Sequence, residues 1–177
     1  MNDRIYIHSD DSQLLADTIG RQTPSDAFLE IGVGNGGNLK IANNLFRLVV
    51  GTDIINLREV KKEIPSAEIV LSDRASCFRS SVFDLVAFNP PYVPTTEIVD
   101  KSVDGGSGGF EVPLSFLESA MHVVKENGKI VMLTSDQGNM SMLTDYCSQR
   151  SLSLRKVAEK SLFFETLYVF EITSEKR

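Results

Sequence analysis

A chain of 177 residues, 42% hydrophobic and 24% charged, has the make-up of an ordinary globular protein, and residues 1–177 are expected to form one domain around one core. Its net charge of −6 argues against bulk phosphate binding, which needs a basic face, so nucleic acid is not the expected partner. No apolar run approaches the roughly 20 residues of a membrane helix and no signal-like segment opens the chain, so no membrane partner is expected and the expected compartment is the cytoplasm, with the nucleus as the alternative.

Ser9, Asp10 and Asp11 read as the cap and first turn of a helix that carries Leu14, Leu15, Thr18 and Ile19 and stops near Gly20. Residues 27–31 read as a strand running into Gly32-Val33-Gly34-Asn35-Gly36-Gly37, with a helix over 38–45 behind it. Glycines at this density let the backbone turn sharply and approach a ligand, and a helix N-terminus behind them favours an anionic group such as a carboxylate. Gly32, Gly34 and Gly37 satisfy the dinucleotide spacing G-x-G-x-x-G. Two features lean away from a dinucleotide: the extra Gly36, and Glu30 just ahead of the loop, an acid placed to receive an ammonium group. A second strand, 48–53, ends in Asp53, which can accept both hydroxyls of a ribose in either kind of nucleoside ligand. A charged amphipathic helix over 57–64 is closed by Pro65. A third strand, 67–72, is followed by Asp73, which can accept an adenine amino group.

A fourth strand, 83–88, delivers Asn89-Pro90-Pro91-Tyr92. Asn89 offers a side-chain carbonyl, and Pro90 a backbone carbonyl without a competing N–H. Consecutive prolines stiffen the turn, and Tyr92 adds a flat face. Two acceptors and a face suit a planar –NH2 group. Such a nitrogen is a poor nucleophile because its lone pair is delocalised, and hydrogen bonds to both N–H groups that strengthen as charge develops would promote its attack.

Residues 93–112 read as a long loop. Asp104-Gly105-Gly106-Ser107-Gly108-Gly109 within it indicates mobility, and a lid over a substrate groove is the expected role. Pro113 suits the first turn of a helix that packs Leu114, Leu117, Met121 and Val124 and ends at Asn127-Gly128. A strand over 129–134, a helix over 139–149 with Met140, Leu143 and Cys147 inward, and strands over 152–158 and 167–173 close the chain. Cys77 and Cys147 lack CxxC spacing and read as free, buried or part-buried thiols. His8 and His122 receive no role, and no metal site is expected.

In an α/β fold a parallel sheet lines Glu30 with its glycine loop, Asp53, Asp73 and Asn89 along one edge. Together they suit a nucleoside bearing an amino acid beside an –NH2 site, and S-adenosylmethionine fits best. With these motifs the chain resembles the HemK-type class I S-adenosylmethionine-dependent methyltransferases, the protein-glutamine group, over nearly its whole length. Within that group it most resembles the eukaryotic and archaeal release factor glutamine methyltransferases. Tyr6-Ile7-His8-Ser9-Asp10-Asp11-Ser12 resembles the family's N-terminal motif, with His8 in place of its proline.

The resemblance implies a Rossmann-like, mostly parallel seven-stranded sheet with helices on both faces and an antiparallel C-terminal hairpin. It implies S-adenosylmethionine as cofactor, S-adenosylhomocysteine as product, and methylation of the glutamine amide in the Gly-Gly-Gln motif of a class 1 release factor. Carried over by position, Glu30, Gly32, Gly34 and Gly36 cradle the methionine part, Asp53 the ribose and Asp73 the adenine, and Asn89 also counts among the cofactor-binding residues. Asn89 and Pro90 hold the target amide, Pro91 and Tyr92 complete that wall, and Asp11 and Ser12 order the mouth. It further implies a small zinc-binding activator subunit, expected to form a heterodimer through strand 67–72 at the sheet edge. An adenine or cytosine amino methyltransferase is the enzymatic alternative, and an inert methyltransferase-like scaffold subunit the non-enzymatic one.

Overall fold

The computed structural model describes residues 10–55, 57–97, 99–100 and 103–175; residues 6–9 of the N-terminal motif, His8 among them, lie outside this range. The elements in order are α1 (Asp10–Gly20), β1 (Ser25–Ile31), α2 (Gly37–Ala42), β2 (Phe46–Asp53), α3 (Arg58–Glu63), β3 (Glu68–Leu71), β4 (Phe83–Phe88), β5 (Val93–Pro94) and β6 (Asp104–Gly106). A 3-10 turn (Ser107–Gly109), α4 (Glu111–Val123), β7 (Val124–Ser135), α5 (Met140–Gln149), β8 (Leu152–Ser161) and β9 (Thr166–Ser174) follow.

Seven strands form one sheet in the order β3-β2-β1-β4-β7-β9-β8. The first five are parallel, and β9 runs antiparallel to both β7 and β8. This is the Rossmann-like architecture that the resemblance implied. It follows from the apolar runs. Phe28-Leu29-Glu30-Ile31 is buried throughout because helices cover both faces. Phe28 belongs to the core under α1, α2 and α3, with Leu15, Leu39 and Val60. Leu29 and Ile31 belong to the core under α4 and α5, with Leu117, Val123, Leu143 and Cys147. Away from the glycine loop, Asp84 accepts hydrogen bonds from the Ala27 N–H at 2.8 Å and from Lys125 Nζ at 2.7 Å, tying β1 and β7 to β4.

The register brings the strand ends together. Ile31 pairs with Thr52 on one side and with Phe88 on the other, and Asp53 pairs with Leu71. The loop after β1, Asp53, Asp73 and Asn89 therefore leave one edge of the sheet.

Four expectations change. The helix after residue 113 ends at Val123, not at Asn127-Gly128, and β7 already begins at Val124. Gly128 serves close approach: a Cβ there would stand 3.0 Å from the carbonyl oxygens of Phe83 and Asp84. In α4 the fully buried positions are Pro113, Leu117, Ala120 and Val123, with Leu114, Met121 and Val124 half-buried against the same core. Cys77 is exposed, and only Cys147 is buried. The expected lid is structured. Among its described residues β6 pairs with β5, and a Cβ on Gly105 or Gly109 would come within 2.7 Å of the Tyr92 carbonyl carbon or 2.5 Å of its oxygen. These glycines let one backbone press on another instead of freeing a flap.

Candidate active site

Glu30 lies one residue before the end of β1 and is 2% exposed. Its Oε1 accepts a hydrogen bond from Asn38 Nδ2 at 2.6 Å, and its Oε2 is buried with no partner among the described residues. Burial pushes its carboxyl up to about 8; the Asn38 hydrogen bond opposes this and the charge of Asp53 adds to it. A buried carboxyl with one unused oxygen has the chemistry of a socket that fits a cation bringing its own N–H donors. Asn38 was missed in the sequence. It stands second in α2, and only the fold returns it to Glu30.

The glycine loop wraps this socket. Gly32, Gly34 and Gly36 have φ of +81°, +54° and +78°, which L side chains rarely adopt. Gly36 also has no room for a side chain, since a Cβ would meet Ile64 and Val60 at 2.8 Å. Asp53 completes the loop: its Oδ2 accepts from the Gly34 N–H at 3.3 Å and its Oδ1 from the Ile54 N–H at 2.7 Å. Behind the loop, Gly51 lets Val33 and Leu39 pack on β2; a Cβ there would lie 2.4 Å from Val33 Cγ2. The helix N-terminus contributes less than expected. The α2 helix has six residues, and the Gly37 N–H is already taken by Asn35 Oδ1 at 3.0 Å. Asp73 reaches the same edge, since the Ser72 N–H bonds the Asp53 carbonyl at 2.9 Å. Its side chain is 65% exposed and ion-paired with Arg74 at 3.3 Å, so it is not gathered into the socket.

On the neighbouring strand end the Asn89 amide has a fixed orientation. Its Nδ2 donates to Asp11 Oδ2 at 2.9 Å. Asp11, on the first turn of α1, is 7% exposed, and its Oδ1 accepts from the Ser12 N–H at 2.6 Å. A carboxylate only accepts, so Asp11 selects the rotamer that leaves Asn89 Oδ1 as the outward acceptor. That oxygen is buried without a partner among the described residues. Pro90 is buried, while Pro91 and Tyr92 are half-buried, with Tyr92 packed on the core of α1, α2 and α3. The structure thus adds a reason for Asp11 beyond its place in a motif: it sets the amide.

The socket and the Asn89 turn stand at the ends of adjacent strands: Glu30 registers with Ala87, two residues before Asn89, which puts the two backbones about 8 Å apart by strand spacing and rise. Both contain buried oxygens that lack donors, one suited to an ammonium and one to an amide N–H. The residues present fit a ligand with an amino-acid end beside a substrate –NH2. Two concavities elsewhere, one lined by Met121, Ile130 and Leu152 and the other by Arg21, Lys129 and Glu171, include none of these groups.

No family model matches the chain. A Methanocaldococcus jannaschii protein named "putative protein N5-glutamine methyltransferase" is 30% identical over 149 residues, which cover 76% of this chain and 74% of the relative. One chain of the E. cuniculi Mtq2–Trm112 complex, described as responsible for methylating the translation termination factor eRF1, superposes with a TM-score of 0.79 at 24% identity over 96% of this chain and 98% of that one. A Streptococcus mutans protein in complex with SAH shares the fold at TM-score 0.61 and 11% identity over 94% of this chain and 99% of its own. The buried acid, the glycine cradle, the oriented Asn89 amide and the relative at this coverage agree: the chain belongs to the HemK-type protein-glutamine methyltransferases, class I enzymes that take their methyl group from S-adenosylmethionine.

Proposed function

We propose that this chain methylates the side-chain amide nitrogen of the glutamine in the Gly-Gly-Gln motif of a class 1 translation release factor. The observation that carries the reading is the Asp11–Asn89 hydrogen bond, which leaves Asn89 Oδ1 as a fixed, buried acceptor. The eRF1 activity ascribed to the E. cuniculi complex supports the substrate.

In this mechanism Glu30 Oε2 would hold the ammonium of S-adenosylmethionine, the loop of Gly32, Gly34 and Gly36 would cradle its amino-acid end, Asp53 would accept from the ribose, and Asp73, once released from Arg74, would accept from the adenine. The cofactor supplies an electrophilic methyl on a sulfonium, so activation of the donor asks nothing of the protein. Asn89 Oδ1 and the Pro90 carbonyl accept the two N–H groups of the glutamine amide, and Tyr92 flanks it. Those bonds strengthen as the nitrogen becomes positive in the transition state, which is where they contribute to rate. As the N–CH3 bond forms the S–CH3 bond breaks, leaving the thioether of S-adenosylhomocysteine, and the methylated amide then gives its proton to water, so no base is required of His122.

The reading includes a heterodimer. On and beside β3, the edge strand, Leu71, Ile54 and Ile55 are 70%, 53% and 59% exposed, an apolar margin next to a strand edge that no strand pairs with among the described residues. Such an edge is suited to strand addition by a small activator subunit, zinc-binding by family resemblance. The E. cuniculi structure is likewise of a complex, Mtq2–Trm112.

The test uses the chain with whatever co-purifies, methyl-labelled cofactor, and three acceptors: the release factor, the same factor with its Gly-Gly-Gln glutamine replaced, and a DNA duplex. Label on the first alone supports the proposal. Label on DNA alone assigns the base-methylating alternative, and cofactor binding with no transfer to any acceptor assigns the scaffold.

A further inference from the structure

We infer that the tip of the β8–β9 hairpin is a docking knob for the protein that carries the target glutamine. The inference rests on the protein-glutamine reading above and concerns how the substrate is held outside the pocket. The Leu162 N–H bonds the Glu165 carbonyl at 2.8 Å, closing a tight turn with Phe163 and Phe164 at its apex. They are 92% and 86% exposed, the two most exposed large apolar residues among those described. Their rings meet edge to face with centroids 4.6 Å apart, so they form one apolar projection and not two scattered side chains. Beside them Glu165 Oε2 is buried with no partner among the described residues, an acceptor awaiting a donor.

The position of the tip identifies its occupant. Phe88 registers with Met132, Met132 with Phe170, and Ser135 with Leu167, so the hairpin turns at the same sheet edge from which Asn89 emerges. Two contacts hold it over that edge. Lys160 Nζ pairs with Asp10 Oδ1 at 2.6 Å, one residue before Asp11. The Thr166 N–H bonds Asp136 Oδ1 at 2.9 Å in the loop after β7. By strand spacing and rise, the knob stands within about 20 Å of Asn89. A folded protein that inserts a glutamine at Asn89 must lie over this rim, whereas a short peptide need not reach it. The apolar margin at β3 is at the far edge of the sheet, six strand spacings or about 29 Å away, so activator and knob are separable.

The experiment compares the full chain, with its co-purifying partner, against the F163S/F164S and F163L/F164L variants. Each is assayed on intact release factor and on a short peptide containing its Gly-Gly-Gln segment. For F163S/F164S the expected result is a KM for intact factor raised about tenfold or more. KM for peptide, kcat and cofactor affinity stay within about twofold, and F163L/F164L recovers part of the loss. An unchanged KM for intact factor, while wild type remains active on it, overturns the knob and leaves the function standing. A wild-type chain that labels no glutamine overturns the function and the knob with it. A wild-type dimer that F163S/F164S converts to monomer in sedimentation assigns the knob to a second copy instead and also overturns the proposal.

Discussion

Replacing Glu30 with glutamine should act in opposite directions on the free and the cofactor-bound protein. Burial holds the Glu30 carboxyl up to about 8 against an ordinary 4.5. A raised carboxyl favours the fold fully below the unfolded value and loses that contribution as pH climbs toward the folded one. Between pH 4.5 and pH 7, at about 1.4 kcal/mol per pH unit, this one group should remove about 3 kcal/mol of stability from wild type. Glu30→Gln keeps shape and hydrogen-bonding capacity but does not titrate. Urea unfolding from pH 4.5 to 7 should therefore show wild type losing about 3 kcal/mol relative to the variant. Asp84 and Glu171 slope the other way, and they cancel in the difference because both proteins carry them. The bound state should reverse the order, because the variant lacks the charge that meets an ammonium; truncating such a buried pair costs about 2–5 kcal/mol, a loss of about 30- to 1,000-fold or more in cofactor affinity. Wild type should also release a proton on binding near pH 7, seen as a buffer-dependent heat in calorimetry. A variant with the wild-type pH profile and wild-type affinity would refute the socket.

Asn89→Ala should leave cofactor affinity nearly intact and lower kcat by about 100- to 1,000-fold in the methyl-transfer assay, since it removes an acceptor used as charge develops. Asp11→Asn lets the Asn89 amide turn either way and should lower kcat by about 10- to 100-fold without changing cofactor affinity by calorimetry. Gly109→Ala brings a Cβ to 2.5 Å from the Tyr92 oxygen at a φ of +73°. It should cost about 1–3 kcal/mol in unfolding and reduce kcat more than cofactor affinity. Leu71→Glu, at a 70% exposed position, should leave the melting temperature almost unchanged while abolishing co-purification of the proposed activator subunit.

Most of the architecture was legible because it is local. Strand 83–88 is apolar enough to be recognised with its observed bounds. Asn139 caps α5 by accepting from the Ser141 N–H at 3.2 Å, as a residue of its type should. The end of α4 was misplaced because Asn127-Gly128 looks like a helix stop, and the reason for Gly128 is the backbone of β4, more than 40 residues earlier in sequence. The Asp104–Gly109 segment was misjudged for the same reason: its glycines answer to Tyr92, a contact that composition does not record. At the site, residue types and spacing pointed to Glu30, Asp53 and Asn89. They were silent on Asn38, on the role of Asp11 in orienting an amide, and on the placement of the Phe163–Phe164 turn near the mouth. Each of those is a pairing of distant segments made only by the fold.

If Asp11 turns Asn89 so that its carbonyl oxygen and that of Pro90 receive the two N–H groups of a glutamine, a crystal structure of the chain with a Gly-Gly-Gln peptide and S-adenosylhomocysteine will show the glutamine Nε2 at about 2.7–3.2 Å from both oxygens, on the side facing the cofactor sulfur. A glutamine amide bound elsewhere, or an Asn89 whose nitrogen faces the substrate while its oxygen has left its present place, would contradict it.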